Sequence, residues 1–150
     1  MKDLRTIASD PEKRKTLIKD CVELLDSEVK SKTGLSGIAV KTAYGLVKAI
    51  KPGVVEESFD NLLDDFTEVL QSYFQKYQEE GSRGTVEAYL AARSADVAES
   101  LLGITDRRAA KSSSRTMVKA YEKLRPKGKT HVESAVPRMG RMIEKHAATM

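Results

Sequence analysis

The feature that most constrains this chain is a run of apolar residues in its middle. Val55, Phe59, Leu62, Phe66, Val69, Tyr73 and Tyr77 recur at spacings of three and four, and Leu63, Leu70 and Phe74 widen the stripe. Asp60, Asp64, Asp65 and Glu68 fall on the opposite side. Such a pattern is an amphipathic helix of about seven turns, and a helix this long needs other helices to cover its stripe. Nowhere does the sequence alternate with a period of two over a sustained stretch, so no sheet is expected. The fold class predicted is all-α, a compact bundle of five to seven helices.

The remaining helices follow from capping and breaking signals. Ser9-Asp10-Pro11-Glu12 opens a helix that runs to about Ser31, with Leu17, Cys21, Leu24, Leu25 and Val29 on one face. A second helix spans roughly Leu35 to Ile50, with Ile38, Ala39, Ala43, Leu46, Val47 and Ile50 assigned to its core face, and Pro52-Gly53 ends it. Gly37 and Gly45 weaken that helix and suggest close approach by a neighbour. After Gly81-Ser82-Arg83-Gly84, Thr85 caps a helix expected to break near Ser94. Another helix is expected to start at Thr105 or Asp106, with Lys111 to Arg115 as a poor helix former. The last should open at Thr130, with Pro137 kinking it or resetting its start.

Charge is segregated along the chain. Residues 1–53 carry a net +4, residues 54–105 a net −8 and residues 106–150 a net +8. The simplest expectation is that acidic middle and basic end pack together. Otherwise the basic end offers a surface to nucleic acid or anionic lipid. Its candidate binding residues are Arg107, Lys111, Arg115, Lys119, Lys123, Arg125, Lys127 and Lys129. The first five are four apart, one stripe if the helix is continuous, and packing on the acidic third helix is the reading preferred from sequence.

No catalytic set is evident. His131 and His146 are the two histidines and Cys21 the one cysteine, which is not a zinc-ligand pattern. His146 is read as a favourable charge at a helix C-terminus. Cys21 sits on an apolar face, where a buried inert thiol is expected. Tyr44-Gly45-Leu46-Val47-Lys48 matches Tyr-x-x-x-Lys, a pattern that means little without a nucleotide-binding sheet. Tyr44 and Tyr121 are read as half-buried, with hydroxyls at the rim beside Lys48 and Arg125. Neither cofactor, metal nor catalytic residue is expected. No apolar run is long enough to span a bilayer and no signal peptide is visible, so the expectation is a cytoplasmic protein.

At an offset of 77 residues the chain echoes itself weakly. Leu24-Leu25 falls on Leu101-Leu102, Ala43-Tyr44 on Ala120-Tyr121 and Val55-Glu56 on Val132-Glu133. One domain over 1–150 is expected, either with halves of about 10–80 and 85–150 related by duplication or with two unrelated halves sharing a core.

The runs Lys32 to Tyr44, Lys48 to Gly53 and Ala135 to Ala147 resemble those of a small bacterial family of about this length, known only as a domain of unknown function. The resemblance spans about Leu17 to Ala147. It implies a bacterial, cytoplasmic protein and brings no site residues with it. Three functions are compatible with these features. The leading one is a non-enzymatic module binding a protein partner or itself, and the other two are alternatives to it. The second is a binder of nucleic acid or anionic lipid through the 107–129 stripe. The third is a carrier holding an apolar ligand between the third helix and the Met-rich last one.

Overall fold

A computed structural model describes residues 1–150 as an all-α bundle. Six long helices carry it: α2 (Pro11–Ser31), α3 (Gly34–Lys48), α4 (Val54–Glu79), α6 (Ser94–Lys111), α7 (Arg115–Leu124) and α8 (Gly128–Ala147). Two short ones, α1 (Arg5–Ser9) and α5 (Val86–Ala91), and a 3-10 turn over Arg125–Lys127 complete it.

The helix boundaries have local causes. The Asp10 carboxylate accepts from the Glu12 and Lys13 amides at 3.0 and 3.1 Å, with Pro11 in the first turn where no N–H is needed. Gly53 enters α4 at φ 77°, a left-handed conformation that a β-carbon would strain. Thr85 Oγ1 accepts from the Ala88 amide at 3.0 Å to start α5, and Ser114 Oγ from the Met117 amide at 3.3 Å to start α7.

Three expectations need correction. α6 runs unbroken to Lys111, so neither Thr105 nor Asp106 begins a helix. Thr105 instead donates back to the Leu102 carbonyl at 3.1 Å, as a hydroxyl inside a helix can. The last helix starts at Gly128, without a side-chain cap, and passes through Pro137. Finally, Ile38, Leu46 and Ile50 are not core residues: they are 63%, 52% and 37% exposed, while Val40 and Ala43 face inward. Gly37 does meet a close neighbour, the Lys32 backbone in the preceding corner, but no atom lies near a β-carbon built on Gly45.

The bundle is solid at one end and hollow at the other. Leu4, Ile7, Phe74, Tyr77, Val86, Leu90, Val97, Leu101, Val136, Ile143 and Ala147 form one buried cluster, from α1, the end of α4, α5, α6 and α8. The second cluster holds just Ala8, Cys21 and Leu63. Leu24, Leu25, Val47, Leu62, Met117, Leu124 and Val132, in the same bundle, are only half buried. Accordingly the accessible surface is 8653 Å², against about 7,600 Å² expected for a chain of this mass.

The order α2–α3–α4 is matched by α6–α7–α8. Contacts pair off likewise: α2 with α4 and α6 with α8, α4 with α6 and α2 with α8. α3 packs extensively against α7, its counterpart in the other half.

Candidate functional site

The hollow end contains a cavity of about 460 Å³. Of its 36 lining residues 27 are hydrophobic, and they come from every α-helix except α5. Leu24 and Leu25 of α2, Val40 and Val47 of α3, Phe59, Leu62 and Phe66 of α4, Met117 and Leu124 of α7, and Val132, Met139 and Met142 of α8 form most of its wall.

Glu28, Tyr44 and Tyr121 on that wall are each paired with neighbouring polar side chains. Glu28, buried on α2, accepts from Arg138 at 2.7 Å, from Lys32 at 3.2 Å and from Ser134 at 3.2 Å, tying α2 to α8. Tyr44 donates to Asp26 at 2.5 Å, with Lys48 5.0 Å from its ring. Tyr121 donates to Asp106, which also takes Arg125 in a two-pronged contact at 2.8 and 3.1 Å. Burial first, then the neighbouring carboxylate, pushes both tyrosine hydroxyls up. Both tyrosines therefore keep their protons; they are half buried, as expected, with their hydroxyls tied to carboxylates. No buried side-chain polar atom lacks a partner.

Neither histidine is free. His146 is buried rather than merely sitting at a helix end: its Nε2 lies 2.7 Å from Asp20, which also takes Lys145 at 2.9 Å. Burial pushes the Asp20 carboxyl up, but the hydrogen bonds from Lys145 and His146 outweigh it and hold the group below its ordinary value. His131 lies 3.3 Å from Ser36 Oγ, at the α3 side of the cavity. Cys21 is buried and its thiol is pushed up to about 12, first by burial and then by Asp20, so the sulfur stays protonated.

These groups set the acid response. Burial, then the charges of Lys32 and Lys127, lowers His131 below its usual 6.5. A histidine lowered in this way favours the fold while neutral, so its contribution is whole above about pH 6.5 and fades as pH falls below it. Asp20 and Asp106, lowered in the fold, contribute fully above about pH 4 and lose that below it. Denaturation midpoints measured against pH should thus decline in two steps, and His131→Gln should remove the first while keeping the second. A single step in the parent protein would contradict the assignment.

The basic residues do not form one stripe. Arg107 and Lys111 end α6, Ser112 to Ser114 interrupt the helix, and Arg115, Lys119 and Lys123 lie on α7. Arg125 and Lys127 sit in the 3-10 turn and Lys129 opens α8. Nor does the set rest on the acidic helix. α4 is met instead by Arg5 on Glu68, Arg14 on Asp60 and Asp64, Lys51 on Glu57 and Arg108 on Asp65. Arg125 pairs with Asp106 and Lys129 with Glu99; Arg107, Lys111, Arg115, Lys119, Lys123 and Lys127 make no ion pair. The reason is topological: α7 packs on α3 and α6, which leaves its charged side outward.

Fold and cavity together define a class: a helical bundle built around an apolar chamber, with no helix long and apolar enough to cross a membrane. Residues 4–147 match the profile of a family of unknown function (DUF6918), and the chain belongs to that family. No curated protein and no solved structure matches it.

Proposed function

We propose that this protein is a carrier that takes an apolar, chain-like ligand into the hollow end of its bundle. The observation that carries the reading is the 460 Å³ cavity and its largely hydrophobic wall. Its volume falls in the ~300–1,000 Å³ range of small-molecule sites. A void of this size would also be expensive: at ~24 cal/mol per Å³ an enclosed one costs about 11 kcal/mol, comparable with the net stability of a whole domain. Its open mouth lowers that figure, and an aliphatic chain in the space would recover part of it by contact with the apolar wall. A cytoplasmic setting fits this reading, since one buried free cysteine suits a reducing compartment.

The matching order of α2–α3–α4 and α6–α7–α8 supports a further part of the reading, that the chamber arose between two duplicated halves. Tyr44 and Tyr121, 77 residues apart, each bond a carboxylate on the helix preceding their own, Asp26 on α2 and Asp106 on α6.

Native mass spectrometry of freshly purified protein should reveal an adduct of lipid mass. Protein stripped of it should brighten and blue-shift dansyl-labelled undecanoic acid, and palmitate should compete the dye away. A clean apo mass together with no dye response would overturn the carrier reading.

A second reading, a surface partner, is favoured by a different observation: the outer side of α3 is apolar and uncovered.

A further inference from the structure

Six large hydrophobic side chains of this chain are more than a third exposed; two of them, Met1 and Met150, are the termini. The other four, Leu35, Ile38, Leu46 and Ile50, belong to α3 and the residues just after it. Leu35, Ile38, Thr42 and Leu46 recur every three or four residues, so they share one side of the helix, away from buried Val40 and Ala43. This is an unpartnered apolar face, and its surroundings say what kind of surface it fits. Between Glu28 and Glu56 the chain has no acidic residue; of its lysines there, Lys32 pairs with Glu28 and Lys51 with Glu57, which leaves Lys30, Lys41 and Lys48 outside any ion pair. On the neighbouring α7, Arg115, Lys119 and Lys123 are exposed and free of ion pairs. An apolar strip edged by unneutralised cations is the pattern of a helix lying in the headgroup region of an anionic bilayer. A nucleic acid would use the cations and leave the leucine and isoleucine side chains in water. A second copy of the chain would have to set like charges against like.

We propose that the α3–α7 face docks this protein on anionic lipid bilayers. The same two helices form part of the cavity wall, through Val40, Val47, Met117 and Leu124. Docking would therefore bring the side of the chamber that they close to the source of an apolar ligand. That transfer role rests on the carrier reading; the docking itself does not.

Vesicle sedimentation tests it directly. The protein should bind phosphatidylcholine vesicles containing phosphatidylglycerol and ignore pure phosphatidylcholine, and binding should weaken steeply with added salt. Charge reversal at Lys41, Lys119 and Lys123 should abolish sedimentation, since each cation near such a surface is worth about fivefold in affinity. Leu35→Ser/Ile38→Ser/Leu46→Ser should reduce binding at least tenfold while leaving circular dichroism unchanged, because these side chains are exposed. Absence of binding to the anionic vesicles at low salt would overturn docking. So would a serine variant that binds as well as the parent, which would indicate contact with any polyanion, DNA included. A serine variant that only abolishes dimerisation would assign the face to a second copy instead. Uptake of dansyl-labelled undecanoic acid in vesicle-free solution reads the cavity alone: a serine variant that still takes the dye separates failure of docking from failure of the carrier reading.

Discussion

Val47→Phe/Val132→Phe should raise the melting temperature of the ligand-free protein by several degrees and cut its affinity for dansyl-labelled undecanoic acid at least tenfold. Both valines line the cavity, from α3 and α8, and both are only half buried because the space before them is open. In a close-packed core the same double exchange would be overpacking, with a cost of ~1–3 kcal/mol for each site. In a chamber, each ring instead removes more apolar surface from water, worth about 1 kcal/mol at ~25 cal/mol per Å². For a chain of this length about 2 kcal/mol corresponds to ~4–8 °C. The two hypotheses differ in sign, so one thermal melt separates them. Loss of dye affinity must accompany the gain, because rings and ligand compete for one volume. A destabilised variant that still binds dye would mean that the valines border packed side chains and that the ligand lies elsewhere.

Much of this architecture was legible in the sequence, and the parts that were not have physical reasons. The third-helix stripe located α4 because its two sides differ sharply, leucine and phenylalanine against aspartate and glutamate. α3 lacks that contrast. Lys41 and Lys48 are the charges among Gly34–Lys48, and apolar residues occupy the inner and outer sides alike. Periodicity showed a helix but could not say which side was inside, so Ile38, Leu46 and Ile50 were assigned to the wrong one. The basic stripe failed for a related reason. Spacing by four places residues on one face only while the helix continues, and Ser112-Ser113-Ser114 bends the chain between Lys111 and Arg115. The cavity was the least legible feature, because a residue lining a void has the same character as one packed in a core. What distinguishes them is whether the opposing helices meet, and that is set by tertiary geometry. The helix start within Ser9 to Glu12 and the capping threonine at Thr85 were legible because a cap depends on neighbours within three residues, although Asp10 caps α2 and Ser9 ends α1.

The second large effect concerns a glycine. Gly140→Ala should destabilise the protein by about 2 kcal/mol or more, measured by denaturant unfolding, and Gly45→Ala should do the opposite. Both glycines lie inside helices, where alanine gains up to about 1 kcal/mol from intrinsic propensity. At Gly140 on α8 a β-carbon would stand 2.5 Å from the Glu87 α-carbon, 2.9 Å from its nitrogen and 3.2 Å from the Val86 carbonyl carbon. These are backbone atoms of α5 and cannot rotate aside, so the two helices would have to separate. Separation would also stretch the 2.6 Å bond from the Val86 amide to Glu144, which satisfies a free N–H in the first turn of α5. At Gly45 on α3 nothing lies within 4 Å of the added carbon, so propensity acts unopposed. A Gly140→Ala protein as stable as the parent would show that α5 and α8 are not in backbone contact. The contrast bears on function as well. α5 is the one α-helix that contributes nothing to the cavity wall, and its contact with α8 fixes the solid end of the bundle. α3 walls the hollow end, is rooted through one inner face, and has a glycine in its last turn that no packing demands. If the chamber admits a ligand by shifting a helix, Gly45→Ala should stabilise the fold and slow dye uptake together, whereas a preformed opening would leave the rate unchanged.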